Sequence, residues 1–364
     1  MGGRSHRIAL LKGDGIGPEV VEATLDVLRR AGEVYGIELQ YQEYQAGAAY
    51  YRQTGESISS ATMEAIGQAD AILLGAMGLP DVRKPDGTEI APQIDIREHY
   101  QLFASLRPAK LFKGVEGPLR AGSVDMLVIR ETTEGLFAGR QDRLEPSDSS
   151  VSDRMTISRA TCDKLFELAF AQARLRRRRG TRGHVTLLDK ANVLRSNAFM
   201  RKVFDEVAAR HPDIGADRLY IDAGSMMMVT NPSRFDVIVT ENVFGDITSE
   251  IAAGIVGGLG VAPSADVSAT HAVFQPCHGT APDIAGRGVA NPVATILSAA
   301  MMLDWIGERR DDLACHQAAQ AIRCAVAAVL EAGPRTPDIG GTASSRQVSA
   351  AIAAALCSAP ECAS

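Results

Sequence analysis

The sequence predicts an α/β protein, and three observations predict it. Short apolar runs alternate with stretches of helical periodicity from the first residues onward. Two of the earliest runs, Ile8 to Leu11 and Ala71 to Leu74, are followed within two residues by a glycine. The chain has 364 residues, 46% of them hydrophobic, which is ample for a buried core and suggests about two domains.

The elements follow in order. Ile8-Ala9-Leu10-Leu11 reads as a strand, and Gly13-Asp14-Gly15-Ile16-Gly17 as a turn. Pro18 suits the first turn of a helix, with Val21, Leu25 and Leu28 on one face. Ala71 to Leu74 is a second strand, and Met126 to Ile129, Val185 to Leu188, Leu219 to Ile221 and Val237 to Val239 are further ones. Helices fit Cys162 to Arg178, Asn197 to Arg210, Asp246 to Gly254, Pro292 to Ile306 and Leu313 to Ala332. Such β-α alternation is the signature of the α/β class. Gln141 to Asp153 is polar and turn-rich, the expected excursion from a compact body, and the tail after Ala355 is expected to fray.

A formal net charge of -6 argues against nucleic acid or an anionic membrane as partner. The basic run Arg174 to Arg179 falls at a helix C-terminus, where cations are favoured, and reads as a solvated helix end. The six cysteines (Cys162, Cys277, Cys315, Cys324, Cys357, Cys362) form no CxxC pair and read as thiols in a reducing compartment. The N-terminus has no long apolar segment, and His6 stands where a myristoylation pattern needs Ser or Thr. Ile251 to Pro263 is too short and Gly-rich to span a bilayer. A cytoplasmic protein with no membrane contact is expected.

Four segments carry chemistry. The Gly13 to Gly17 loop departs from the G-x-G-x-x-G fingerprint, because its third glycine comes one residue early; a tight strand-to-helix turn is the better reading of it taken alone. Arg97, Arg107 and Arg130 are either surface arginines or a grip for a substrate with two or three carboxylates, since guanidinium binds carboxylate through paired hydrogen bonds. Asp246 and Glu250 are four apart at an expected helix start, so they share a face. They serve either as N-terminal helix acids or as hard oxygen ligands for Mg²⁺ or Mn²⁺. In His278-Gly279-Thr280-Ala281-Pro282-Asp283-Ile284-Ala285-Gly286, small residues allow close approach of a flat ligand. Asp283 there suits the ribose hydroxyls of NAD and would repel the extra phosphate of NADP.

In combination these segments resemble the β-decarboxylating dehydrogenase family, which includes isopropylmalate, isocitrate, homoisocitrate, tartrate and malate dehydrogenases. The resemblance runs from about Ile8 to Ala355, with the motifs in family order. They are GDGIGPE at 13–19, Arg97 and Arg107 around LFASLRPAK, IRETTEG at 129–135, DKANVLR at 189–195, FDVIVTENVFGDI at 235–247 and HGTAPDIAGRGVANP at 278–292. It implies an isopropylmalate/isocitrate dehydrogenase-like fold of two α/β domains with a cleft between them. Residues 1–102 plus 252–364 would form the larger, cofactor-binding domain. Residues 103–251 would form the smaller one, carrying a dimer interface and an arm at about 139–155. It also implies a homodimer with shared active sites.

By the same resemblance, Arg97, Arg107 and Arg130 grip carboxylates, and Asn192 contacts substrate or the nicotinamide end. Asp222, Asp246 and Glu250 hold Mg²⁺ or Mn²⁺, with Asp222 and the catalytic Lys190 supplied by the partner. His278, Gly279, Ala281, Asp283, Ile284 and Asn291 line the adenosine pocket of NAD. The implied reaction is NAD-dependent oxidative decarboxylation of a 3-substituted malate.

Three departures stand out. Phe137 occupies the position of the family's catalytic tyrosine, whose usual task is to protonate C3. Glu250 replaces an aspartate among the metal ligands. Ala91 to Ile96 matches neither isopropylmalate enzymes, with leucines at the positions of Gln93 and Ile94, nor isocitrate enzymes, with serine and asparagine at those of Ala91 and Gln93. The segment 278–292 is most similar to isopropylmalate members, and RETTEGL to isocitrate and homoisocitrate members. 3-Isopropylmalate is the first expected substrate, with isocitrate, tartrate or D-malate as alternatives. A regulatory paralogue that has lost catalysis is the rival reading, prompted by Phe137.

Overall fold

The computed structural model describes residues 5–119, 123–141 and 149–356. Among these the chain forms two compact units. The first comprises residues 5–100, 111–117 and 256–356, and the second residues 101–110, 118–119, 123–141 and 149–255.

The first unit begins with β1 (Ser5–Leu11), α1 (Gly17–Tyr35), β2 (Glu38–Glu43), α2 (Ala48–Thr54), α3 (Ser60–Ile66), β3 (Ala71–Leu74) and α4 (Pro92–His99). The second holds β4 (Ala104–Lys110), β5 (Asp125–Glu131), α5 (Arg159–Arg178), β6 (His184–Asp189) and α6 (Arg195–Ala208). It continues with β7 (Gly215–Tyr220), α7 (Ile221–Thr230), β8 (Val237–Thr240) and α8 (Asn242–Ile255). The chain then completes the first unit with β9 (Pro263–Val267), β10 (Ala272–Pro276), α9 (Val293–Arg310), α10 (Leu313–Ala332) and α11 (Ser345–Ala355).

In the first unit the strands run β2-β1-β3-β10-β9, parallel except for β9 against β10. In the second they run β4-β5-β8-β6-β7, parallel except for β4 against β5. Helices cover both faces of a parallel sheet, so its inner strands are apolar without alternation. Ile8 to Leu11, Ala71 to Leu74 and Val237 to Thr240 are buried throughout. This is the α/β class that the alternating pattern predicts.

Local chemistry sets the helix ends. Pro18 lies in the first turn of α1, and Gly36 closes it at a left-handed φ of 70°. Ser158 caps α5 by accepting from Thr161 N, and Ser344 with Gln347 forms a capping box on α11. α10 is long and apolar enough to cross a membrane, but half of it is buried inside the protein, as a core helix is.

Several expectations change. The strand expected through Ile221 ends at Tyr220, because α7 starts there with Asp222 in its first turn. β9 is buried yet carries Ser264 and Asp266, and these polar residues hide it in the sequence. Cys324 is disulfide-bonded, which corrects the expectation of thiols throughout, whereas Cys162, Cys277 and Cys315 are thiols. At the base of the expected arm, Gly135 N donates to Thr156 O at 2.9 Å; residues 142–148 of that arm lie outside the described residues.

Candidate active site

In the first unit the Gly13 to Gly17 loop is a structural turn that positions two other loops. Gly13 has a φ of 75°, and a Cβ there would lie 2.1 Å from Ala76 O. Gly15 is equally confined, with Thr280 O at 2.1 Å from its would-be Cβ. Only glycine meets both demands. Ile16 N donates to Thr280 O at 2.9 Å, which ties the turn to the 278–291 loop. Buried Asp14 accepts from Ala48 N, Ala49 N and Gly78 N at 2.7, 2.9 and 2.8 Å.

The 278–291 loop is fixed at both ends. Ala281, Ile284 and Ala285 pack against Ile16, Val20 and Ala290. Glu19 accepts from Gly288 N and Ala290 N, at 3.1 and 2.8 Å. Asn291 donates to Asp338 Oδ2 at 3.0 Å and accepts from Val293 N at 3.1 Å, so both ends of its side chain are engaged. His278 Nδ1 contacts Gly279 O at 2.9 Å, whereas its Nε2 is buried with no partner. Burial pushes the pKa of His278 down, favouring neutral imidazole. Asp283 and Gly279 are exposed. A neutral imidazole with a free buried nitrogen, on a loop with an exposed carboxylate, suits the polar edge of a nucleotide.

Arg97 comes from α4. Its guanidinium has one partner among the described residues, Asp266 on β9, with Nε to Oδ2 at 2.7 Å. Asp266 is 1% exposed and also accepts from Gln275 Nε2 at 2.8 Å. Contact through Nε leaves the two terminal nitrogens of Arg97 as a fork for another carboxylate. Sequence reading missed Asp266, because nothing local marks it as the partner of an arginine 169 residues away. Asp266→Ala is expected to reduce stability by about 3 kcal/mol, since it strips a nearly buried arginine of its counter-charge. Urea denaturation measures this, and Asp266→Asn should lose less because it keeps a hydrogen-bond acceptor.

The second unit holds the other two arginines. Arg107 on β4 and Arg130 on β5 are 8% and 3% exposed. Arg107 Nη1 donates to Ser249 Oγ at 2.8 Å and lies 3.8 Å from Glu250. Arg130 donates to Asn242 Oδ1 through Nε and Nη2, at 3.0 and 2.8 Å, and pairs with Asp246 through Nη1. Helix and strand approach closely here because of Gly245, whose Cβ would lie 2.6 Å from Arg130 Cβ.

α8 begins one turn earlier than the sequence predicts. Buried Glu241 takes the N-terminal role, accepting from Val243 N and Phe244 N at 3.0 and 2.7 Å. Asp246 and Glu250 are therefore interior helix residues on one face, each beside an arginine. That removes the reading of the pair as helix-end acids. Their side chains are 41% and 47% exposed, open to a cation from solvent. Burial raises the pKa of Glu250 and Arg107 opposes that shift. Phe137 sits over this group, with Arg130 Cζ 5.4 Å from its ring centroid.

Lys190 and Asp222 pair with each other at 3.0 Å. The lysine is the first cause of a lowered pKa at Asp222. Asn192 is exposed. Among the described residues, Asp222 forms no metal-sized cluster with Asp246 and Glu250 within one chain.

A sequence profile described as isocitrate/isopropylmalate dehydrogenase matches residues 7–354. The chain belongs to the isocitrate/isopropylmalate dehydrogenase family. Membership makes it an oxidoreductase of the dehydrogenase class. The 3-isopropylmalate/3-methylmalate dehydrogenase of Methanocaldococcus jannaschii is 40% identical over 96% of this chain and 98% of that protein. The 3-isopropylmalate dehydrogenase of Moorella thermoacetica is also 40% identical, over 92% of this chain and 93% of its own. Among solved structures, the isocitrate dehydrogenase of Methylococcus capsulatus superposes with a TM-score of 0.84 at 34% identity, covering 96% of this chain and 99% of that one. The family's fold thus matches over nearly the whole chain.

Proposed function

We propose that this family member is an NAD-linked, divalent-metal-dependent enzyme that oxidises a 3-substituted malate at C2 and removes its 3-carboxylate. The observation that carries this reading is the pairing of buried Arg107 and Arg130 with Glu250 and Asp246 on adjacent turns of α8. Such a group offers cations to substrate carboxylates and oxygens to a metal side by side.

Asp246 and Glu250 would hold Mg²⁺ or Mn²⁺, joined by Asp222 of a second protomer, and the donors are hard oxygens as those ions require. The orphaned His278 Nε2 and exposed Asp283 support NAD at the 278–291 loop. Bound NAD would accept hydride from C2, and the bound cation would polarise the C2 oxygen. The chain's own residues do the rest. Arg97, Arg107 and Arg130 grip carboxylates and orient the substrate, and Asn192 adds a polar contact. Lys190, as the neutral amine, removes the C2 hydroxyl proton, and Asp222 is its ion-pair partner once it carries that proton. Phe137 covers Arg130 and has no proton to give at C3.

A homodimer is part of the reading. Met226 and Val229 on α7 and Ile247 on α8 are 58%, 47% and 54% exposed. Large apolar side chains on adjoining helices suit an interface.

The first substrate is 3-isopropylmalate, supported by the names of the Methanocaldococcus jannaschii and Moorella thermoacetica relatives, the former of which also includes 3-methylmalate. Isocitrate is the second reading, favoured by Gln93, a polar residue whose buried Oε1 has no partner one helical turn from Arg97. The test is NADH formation across 3-isopropylmalate, isocitrate, homoisocitrate, tartrate and D-malate, with NAD or NADP. Turnover of one acid with NAD and Mn²⁺, abolished by EDTA and restored by Mn²⁺, is expected. Silence with every acid would overturn the reading in favour of a regulatory paralogue. Phe137→Tyr is expected to raise kcat by at least about tenfold at nearly constant KM, because general acids contribute about 10²- to 10⁴-fold.

A further inference from the structure

The first unit gathers three more side chains that this reaction does not use. His6 on β1 meets Asp312, which precedes α10, and Cys315 in the first turn of that helix, although 306 and 309 residues separate them. His6 and Cys315 are 2% and 0% exposed, and the Asp312 side chain is 12% exposed. His6 Nε2 lies 3.1 Å from Asp312 Oδ2 and 3.6 Å from Cys315 Sγ. All three candidate ligand atoms fall within 4.8 Å of one another.

We propose that His6, Asp312 and Cys315 form a second metal site, selective for a zinc-type cation, with water as fourth ligand. Zinc binds imidazole nitrogen and carboxylate oxygen at about 2.0–2.1 Å and thiolate at about 2.3 Å. Tetrahedral angles then place nitrogen about 3.3 Å from oxygen and about 3.6 Å from sulfur. The separations in the protein are close to both. Hydrogen bonding alone accounts for less of the cluster. A neutral imidazole Nε2 carries either one proton or one lone pair, so it cannot serve as full partner to the carboxylate and the thiol together.

Charge points the same way. One carboxylate, one thiolate and one divalent cation sum to zero, which a buried site favours. Without a cation, burial and the charge of Asp312 push the thiol up to about 12, so it is protonated. Binding would release that proton to solvent as the metal–sulfur bond forms, with no change of oxidation state. Asp312 can do this while it caps α10, because its other oxygen accepts from Ala314 N at 3.1 Å. His6 also lines a surface cavity, together with Ser5, Arg7, Gln40, Asp70 and Arg310. Thiolate and imidazole select zinc over magnesium. This site would therefore discriminate differently from the oxygen ligands of α8, and would tie β1 to α10 instead of entering the reaction.

The experiment uses the full chain, first stripped with a chelator and then titrated with Co²⁺. One equivalent is expected to produce thiolate-to-cobalt charge transfer in the near ultraviolet, undiminished by excess Mg²⁺. The band should vanish in Cys315→Ser and His6→Gln and persist in Asp246→Asn. X-ray absorption on zinc-loaded wild-type protein should show one sulfur in the zinc shell, a readout independent of whether any variant folds. Absence of sulfur from that shell, or a charge-transfer band that survives Cys315→Ser, would overturn the proposal.

Discussion

Coexpressed Lys190→Met and Asp246→Asn chains are expected to regain about a quarter of wild-type activity, although each homodimer alone is nearly inactive. Each single loss is severe, because a general base contributes about 10²- to 10⁴-fold and a metal ligand is needed for every turnover. In a mixed dimer with shared sites, one site combines the intact Asp246 of the first chain with the intact Lys190 of the second. The other site combines both defects. Half of randomly assembled dimers are mixed and each has one working site, which yields the quarter. If each site were built within one chain, no mixed dimer would work. The pairing of Lys190 with Asp222 at 3.0 Å, apart from Asp246 and Glu250, is the geometry that motivates the test. Measured NADH formation at the level of the inactive parents would sink the shared-site reading.

Arg130→Lys is expected to lower kcat/KM by about 10²- to 10³-fold, despite conserving charge. Arg130 holds Asn242 through two nitrogens and Asp246 through a third. Lysine cannot reproduce that fork. Each charge-assisted hydrogen bond is worth about 1.5–3 kcal/mol, and every 1.4 kcal/mol is tenfold in rate. Losing two such bonds at the lower end of that span, about 3–4 kcal/mol in all, places the effect in the stated range. The loss should divide between KM, through the substrate grip, and kcat, through a less fixed Asp246. Steady-state kinetics at saturating Mn²⁺ separates the two, and a variant within threefold or so of wild type would show that Arg130 contributes only charge.

The strand runs Ile8 to Leu11, Ala71 to Leu74 and Val237 to Val239 were legible because strands buried on both faces are apolar at every position. β2 was not, since its residues are largely exposed and show no apolar pattern. β4 is marked in the sequence by Arg107 and not by a strand pattern, because polar residues and Pro108 interrupt it. The start of α8 was misplaced for a related reason. Glu241 caps that helix with an acid one turn before the two acids that looked like its beginning.

The order of motifs along the chain was enough to place the protein in its family, since those motifs are contiguous and each is tied to a local turn or helix end. Arg107, Arg130, Asp246 and Glu250 were all picked out individually from that order. Their mutual pairing was decided by the tertiary structure, through the close approach that Gly245 permits between α8 and β5. Asp266 behind Arg97, Asp338 behind Asn291 and the meeting of His6 with Cys315 had no signal at all in the sequence. The physical reason is range. Caps, turns and apolar periodicity act over a few residues and are written locally, whereas an ion pair or ligand cluster depends on where the folded sheet brings residues hundreds of positions apart.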